Sequence, residues 1–159
     1  MRRMLINICC LSALAALPWS VLHAAPAVAV VDAAMQGNRD AVRSLLKDGA
    51  DVNTAQADGM TALHWAAQKG DVELAKLLLY ASANVKATTR IGGYTPLLMA
   101  SKNGDAPMIG TLLTAGADPN SATTNGTTAL MLAASAGRAD AVTLLVERGA
   151  NVKIGRAHV

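Results

Sequence analysis

The feature of this sequence that most limits its fold is a unit of nearly constant length that occurs four times. Marker glycines at almost equal intervals set its register, at Gly37, Gly70, Gly104 and Gly137. Twelve positions after each marker a small residue precedes Ala and then Asp or Asn, in strings that begin at Gly49, Ser82, Gly116 and Gly149. A unit this short cannot bury its apolar residues alone, so the period predicts a stack of similar units.

Each unit carries signals for two short helices. A first helix is predicted to begin at a threonine whose hydroxyl caps a free N–H, and to end at the marker glycine, which tolerates left-handed geometry. The threonines are Thr61, Thr95 and Thr128, and the marker glycines that follow them are Gly70, Gly104 and Gly137. A second helix has apolar residues four, five, eight and nine positions after the marker, on one helical face; in the last unit these are Ala141, Val142, Leu145 and Val146.

The two most regular strings resemble the ankyrin repeat. They are Gly-Met-Thr-Ala-Leu-His at 59–64 with Gly70 after it, and Gly-Ala-Asp-Val-Asn at 49–53. The resemblance covers about 30–153 and implies an all-α solenoid of about four helix–turn–helix units with protruding β-turn loops. The expected repeats are 30–58, 59–92, 93–125 and 126–153.

Some positions depart from the family pattern. His64 matches the motif histidine, but Leu98 and Met131 occupy the equivalent places. The hydrogen bonds that this histidine gives in the family are therefore expected to be missing from the last two units. The loop at 86–94 has one extra residue, which Gly92 and Gly93 are expected to accommodate.

The beginning of the chain has the order of a secretory signal peptide. Arg2 and Arg3 precede an apolar stretch at 5–22, and small residues follow it. We predict a signal peptide at 1–24, cleaved after Ala24 or Ala27, and export from a bacterial cytoplasm to the periplasm. The alternatives are an uncleaved membrane anchor, a wrongly assigned start of the chain, and full secretion. The length of the apolar stretch is at the lower limit for an anchor helix that spans a bilayer.

Charge and cysteine content exclude some classes of function. The chain has 14 Lys and Arg against 11 Asp and Glu, and without Arg2 and Arg3 the net charge falls to about +1. The remaining basic residues form no run, which argues against nucleic acid as a partner. Both cysteines, Cys9 and Cys10, lie in the predicted signal peptide, so we expect no disulfide or thiolate site elsewhere.

The other end of the chain resembles an artefact. Residues 154–159 read as the translation of a common sequencing adapter, so we expect a truncated reading frame with further repeats downstream. A genuine short tail is the alternative. In a truncated chain, the fourth unit would lack the polar capping repeat that solenoids generally need.

No catalytic or metal site is predicted. His23 lies in the predicted signal peptide and His158 in the terminal segment at 154–159, which leaves His64 as a single histidine expected to be a buried structural residue. Zinc requires several His or Cys ligands, and a Ser-His-Asp site requires an oriented base. We therefore expect neither enzymatic activity nor a cofactor.

The ankyrin resemblance implies binding of a protein through the loop tips and the concave strip of first helices. The candidates at the loop ends are Met60, Tyr94 and Thr127, and those one position past the motif histidine are Trp65, Met99 and Leu132. A polar rim is expected from Gln68, Lys69, Lys102 and Asn103. The competing interpretation is that Trp65, Met99 and Leu132 are packed between neighbouring first helices.

Taken together, the sequence predicts an exported, monomeric, non-catalytic scaffold that binds a protein partner. It would contact a membrane only if the signal segment were an uncleaved anchor. The alternative is a regulatory or targeting segment of a longer enzyme whose catalytic part follows the truncated end.

Overall fold

A computed structural model of the protein describes residues 29–152. These residues form helices only, apart from isolated bridges that join Ala55 to Thr61 and Ala122 to Thr128 at the bases of two loops. The helices are α1 (Ala29–Gln36), α2 (Arg39–Lys47), α3 (Ala62–Lys69), α4 (Val72–Tyr80), α5 (Pro96–Asn103), α6 (Ala106–Thr114), α7 (Ala129–Ser135) and α8 (Ala139–Glu147). The predicted signal peptide at 1–24 and the tail at 154–159 lie outside the described residues.

The helices stack in two layers, as the repeat predicts. First helices α1, α3, α5 and α7 pack side by side, and each also packs against the second helix of its own unit. Second helices α4, α6 and α8 form the other layer. The all-α solenoid of four helix–turn–helix units is confirmed.

Threonines begin the first helices at the predicted positions. Thr95 Oγ1 accepts a hydrogen bond from the N–H of Leu98 at 3.2 Å, and Thr128 Oγ1 accepts from that of Met131 at 3.3 Å. The Thr61 hydroxyl instead pairs with a side chain, as described below. The bonds to Thr95 and Thr128 each satisfy a backbone N–H that has no partner within its own helix.

Second helices are capped by a different residue type. The side chains of Asn38, Asp71 and Asp105 accept from a backbone N–H three residues ahead, at 3.0, 2.9 and 3.0 Å. Arg138 stands in the same place before α8 and supplies no such cap. The carboxylates of Asp71 and Asp105 are thus committed to helix termini.

Left-handed residues end the helices where the marker pattern predicts. Gly70 and Gly104 terminate α3 and α5 with φ of 69° and 65°, and Gly137 follows α7 with φ of 69°. After the second helices, Gly116 has φ of 91°, whereas Ser82 has φ of 68° in the equivalent place. Ser82 is the single non-glycine residue with positive φ in the part of the chain that the structure describes.

The core is thin because its first layer is built mainly from alanine. Ala66, Ala67 and Ala100 are fully buried and allow the first helices to approach closely. Leu78 and Leu112 are fully buried on the second helices, as the sequence predicts. Val146 departs from the pattern, with 42 % of its surface exposed, because no further unit covers its side of α8 within the described residues.

Candidate partner-binding surface

His64 ties the second unit to the third. It is fully buried, its Nδ1 lies 2.8 Å from Thr61 Oγ1, and its Nε2 lies 2.9 Å from the carbonyl oxygen of Tyr94. Leu98 cannot form an equivalent bond, and Met131 provides only a sulfur 3.5 Å from the N–H of Thr128. His64 is therefore a structural residue, and the histidine link predicted to be missing from the last two units is absent there.

A second link joins these two units beside the first. Asn103 Nδ2 donates to the carbonyl oxygen of Gln68 at 2.7 Å, which connects the end of α5 to the end of α3. Together with His64, this bond fixes the spacing of the two first helices at both ends. The surface between them is thus held by hydrogen bonds as well as by packing.

Loop tips are also joined, by backbone bonds. The N–H of Arg90 donates to the carbonyl oxygen of Asp58 at 2.8 Å, and the N–H of Thr124 donates to that of Gly92 at 3.0 Å. The loops therefore approach so closely that a Cβ at Gly59 would lie 2.8 Å from the backbone nitrogen of Arg90. This row of linked loops forms one edge of the concave strip.

Five predicted residues surround one depression, which we call the groove. It has a volume of about 170 Å³ and is lined by Gln68, Tyr94, Met99, Lys102 and Asn103. Tyr94 and Met99 are half-buried and provide its apolar part, whereas the other three are exposed. Units two and three alone supply these side chains.

A more polar depression adjoins the groove and shares Gln68 and Asn103 with it. Its volume is about 400 Å³, and its charged lining residues are Lys69, Asp105 and Arg138. Lys69 is thus placed beside the groove, at the C-terminal end of α3.

Trp65 is half-buried and fixed by a chain of polar side chains. Its Nε1 donates to Gln56 Oε1 at 3.1 Å, and Gln56 Nε2 donates to Asp32 Oδ1 at 3.1 Å. Packing against the core and partial exposure therefore occur in the same residue. One part of the Trp65 surface thus packs in the stack, and another part is accessible to a partner.

Met60 departs from the expectation that it lies on the accessible strip. Only 6 % of its surface is exposed. Its backbone is also engaged: the N–H of Met60 donates to Asp58 Oδ1, and its carbonyl oxygen accepts from Gln56. Met60 is thus a packing residue, and a partner could not reach it without opening the loop.

The remaining candidates lie away from the groove. Thr127 and Leu132 are half-buried in the fourth unit and do not line it. Thr127 has its backbone bonded within its own loop through Thr123. The strip predicted from the sequence is therefore uneven, and its concave part is concentrated between units two and three.

Sequence reasoning missed an exposed apolar residue at the loop tip. Ile91 is 80 % exposed, in the loop that contains the extra residue. Counted from the preceding helix, Asp58 and Asn125 occupy the equivalent places in the neighbouring loops, so an isoleucine there was the signal that could have found it. Gly92 and Gly93 follow with φ of 80° and 63°, as expected for the insertion.

The electrostatics of the site are simple. Burial lowers the pKa of His64 below its ordinary value, against the smaller opposing effect of its hydrogen bond to Tyr94. Lys69 and Lys102 form no ion pair within residues 29–152. The groove therefore has a neutral buried histidine beneath it and uncompensated ammonium groups at its rim.

Two further features concern membranes and metals. Among residues 29–152, no helix is both long and apolar enough to cross a bilayer. In the same range, no group of three His, Cys, Asp or Glu side chains is arranged to hold a metal ion.

Comparisons with known proteins agree with the repeat architecture. Two family models, both described as ankyrin repeats, match residues 30–79 (many copies) and 81–156 (3 copies). Inversin from Gallus gallus is 53% identical over 45 residues, which is 28% of this chain and 4% of that protein. Palmitoyltransferase akr1 from Schizosaccharomyces pombe is 44% identical over 62 residues, which is 38% of this chain and 9% of that protein.

A third relative is the Ankyrin repeat and LEM domain-containing protein 1 homolog from Caenorhabditis elegans. It is 42% identical over 53 residues, which is 33% of this chain and 8% of that protein. The match therefore covers less than a tenth of the length of each of these three relatives.

Proposed function

The chain belongs to the ankyrin-repeat family. We propose that it is a module whose groove binds a protein partner, and that the N-terminal segment directs its export. Ankyrin repeats form protein-interaction modules, and one framework carries many different surfaces. What is specific to this chain is the chemistry of the exposed residues between its second and third units.

The groove is the observation that supports this proposal most directly. Tyr94 and Met99 are partly exposed there, between exposed amide and ammonium groups. Aromatic residues and adaptable methionines are enriched where binding energy is concentrated. The links from His64 and Asn103 hold the groove open before a partner arrives, which reduces the ordering cost of binding.

We also propose that these repeats perform no catalysis themselves. Their single histidine is buried and engaged on both ring nitrogens, and the carboxylates of Asp71 and Asp105 cap helices. The second candidate is a regulatory or targeting segment of a longer enzyme. It is favoured by the similarity to a palmitoyltransferase, of which this chain matches only 9%.

A substitution pair tests the partner-binding surface. Tyr94→Ala removes a ring from the groove and keeps the backbone carbonyl that His64 requires, whereas Lys47→Ala removes an exposed charge at the end of α2. We expect Tyr94→Ala to weaken partner capture by about 2 kcal/mol or more, and Lys47→Ala by less than about 1. Capture would be measured by pull-down from a periplasmic extract.

Both variants must first match the parent's urea midpoint, so that lost capture reports the surface and not the stack. Trp65→Ala is less suitable as a first test, because its side chain also packs against the core. Parent-like capture by Tyr94→Ala together with loss in Lys47→Ala would place the interface on the other side of the solenoid and refute this proposal.

Export is tested by expression in a Gram-negative host. The proposal predicts a periplasmic protein that begins at Ala25 or Val28, after removal of the predicted signal peptide. Full-length chain in the membrane pellet would favour an anchor instead. Full-length chain in the cytosol would contradict both.

A further inference from the structure

We propose that the groove binds an extended peptide segment in which an apolar side chain is followed closely by Asp or Glu. This inference rests on the proposed function, since it gives the chemistry of the partner at the same surface. It is carried by three properties of the site: its size, its apolar lining and the sign of the charges around it.

The size of the groove favours a side chain over a small molecule. Its volume of about 170 Å³ is below the roughly 300 to 1,000 Å³ typical of ligand and cofactor pockets, and the larger depression beside it, of about 400 Å³, has a mainly polar lining, whereas such pockets are mainly apolar. Tyr94 and Met99 provide the apolar part of its lining. A single aliphatic or aromatic side chain on a peptide would cover both residues.

The charges that surround this space are mainly positive. Lys102 is the charged lining residue of the groove, and Lys69, Arg138 and Asp105 line the adjoining polar depression. Asp105 Oδ1 accepts the N–H of Met108 as a helix cap, which already commits part of that carboxylate. The positively charged residues of the groove and of the adjoining depression therefore favour an anion.

Pairing within the protein does not cancel this positive charge. Arg138 is partly compensated, because its Nε lies 3.6 Å from Asp140 Oδ1. Lys69 and Lys102 are exposed and have no such partner within the described residues. Two ammonium groups thus remain for a carboxylate that follows the apolar side chain.

The amide side chains of Gln68 and Asn103 connect the groove with the adjoining polar depression. Gln68 and Asn103 line both depressions, so the two form one continuous surface. Asn103 uses one of its donors on the carbonyl oxygen of Gln68. The amide side chain of Gln68 is exposed and could bond to the backbone of an extended segment, which has both donors and acceptors to offer.

The positions of Lys69 and Lys102 also have a purely structural explanation, which predicts a different effect of substitution. Lys69 and Lys102 both lie in the last turn of a helix, where a cation interacts favourably with the helix dipole. On that explanation, substitution would lower stability and leave binding unchanged. If the lysines bind an acidic residue of a partner, substitution lowers the affinity for the partner and makes that affinity less sensitive to salt.

The test begins with selection from a random-peptide library displayed on phage, using the full chain immobilised as bait. Enriched peptides are expected to share an apolar residue followed closely by Asp or Glu. One enriched peptide is then synthesised, with and without its acidic residue changed to the matching amide. Affinities are measured by fluorescence polarisation at low and high salt for the parent, Lys102→Gln, Tyr94→Ala and the control Lys47→Gln.

We expect the amide peptide and the Lys102→Gln variant each to lose about two- to fivefold in affinity at low salt. Lys47→Gln should bind as the parent does. High salt should remove most of the difference. Urea midpoints for each variant ensure that a loss of affinity does not reflect a loosened stack.

The contrary results separate this inference from the proposed function. Peptides that depend on Tyr94 but show no acidic preference would overturn the inference and leave the groove as a binding surface. Peptides indifferent to both Tyr94 and Lys102, or no enrichment at all, would overturn the inference and the proposed groove together.

Discussion

Nε2 of His64 lies 2.9 Å from the carbonyl oxygen of Tyr94, so a buried side chain of one unit holds the backbone of a groove residue in the next. Nδ1 of the same ring faces the backbone N–H of Thr61 at 3.2 Å. Because that N–H can only donate, Nδ1 accepts, and Nε2 carries the proton and donates to Tyr94. The neutral form of His64 is therefore the form that makes both of these hydrogen bonds.

The first prediction follows from this protonation state. Burial lowers the pKa of His64, so the unfolded chain binds the proton more readily than the folded one. The stability that depends on the neutral ring is complete above the unfolded pKa of about 6.5 and is lost as the pH falls through the lower, folded value. Urea melts at several pH values should show this loss in the parent.

His64→Leu supplies the control for the pH series. Leucine, as found at Leu98, makes no hydrogen bond, so the variant should be less stable by about 1–2 kcal/mol at neutral pH. Its stability should also be nearly flat between about pH 6.5 and 5. The pKa of Asp71 is lowered too, since hydrogen bonds from Arg39 and Leu74 outweigh its burial, but that group titrates below about pH 4. A parallel decline in both proteins would contradict the assignment.

The second prediction concerns Ser82, which has φ of 68° at a position where the other units have glycine. Ser82→Gly should raise the free energy of unfolding by about 0.5–1 kcal/mol, because glycine adopts this conformation without a steric cost. A Cβ at Gly116 would have no atom within 4 Å among the described residues, so the reverse change, Gly116→Ser, should lower the free energy of unfolding by a similar amount. Opposite shifts in the urea midpoint would establish the strain, and shifts of the same sign would contradict it.

A third prediction concerns a buried hydroxyl. Ser101 is fully buried on α5, and its Oγ has no hydrogen-bond partner among residues 29–152, whereas Ala67 occupies the equivalent place on α3. Ser101→Ala should therefore stabilise the protein by about 1 kcal/mol. Ser135→Ala is the matched control, since that exposed hydroxyl already donates to Leu132 and should change little. Destabilisation by Ser101→Ala in thermal melts would mean that the hydroxyl is satisfied after all.

The fourth prediction measures how closely the loops approach. Gly59 and Gly126 have nearly the same backbone conformation, with φ of 86° and 81°. A Cβ at Gly59 would meet the backbone of Arg90, whereas a Cβ at Gly126 would meet no atom within 4 Å in the part of the chain that the structure describes. Gly126→Ala should cost about 1 kcal/mol, and Gly59→Ala should cost at least about 1 kcal/mol more. Equal costs in urea unfolding would show that the loops can separate freely.

The fifth prediction contrasts an inner unit with an outer one. Leu112→Ala should cost about 2–5 kcal/mol, because Leu112 is fully buried and its removal leaves a cavity. Val146→Ala should change stability by less than about 0.5 kcal/mol, because 42 % of the surface of Val146 is exposed. A large loss for Val146→Ala would indicate that something covers Val146 in solution.

The ends of the helices and part of the groove could be predicted from the sequence. Helix starts at Thr95 and Thr128 and helix stops at Gly70 and Gly104 depend on local backbone chemistry, and they were predictable residue by residue. The repeat period then gave the order of the stack. The groove could be predicted in part, because Tyr94 and Met99 follow the same register.

What could not be predicted depends on contacts between units. Met60 and Tyr94 hold the same place in their repeats, yet Met60 is buried and Tyr94 half-buried. Ile91 is exposed at the tip of the loop at 86–94, in the place that Asp58 and Asn125 hold in the neighbouring loops. Burial of an equivalent position thus varies with the neighbouring loop, which the pattern within one unit does not contain.

One consequence of the layered packing concerns how this surface can change over generations. All five side chains of the groove come from units two and three, and the main packing contacts join each unit to its neighbours. Duplication or loss of an outer unit would therefore alter the length of the array and leave the recognition chemistry intact. Conversely, substitutions at a few exposed positions of two adjacent units would redirect the protein to another partner without disturbing the framework that supports it.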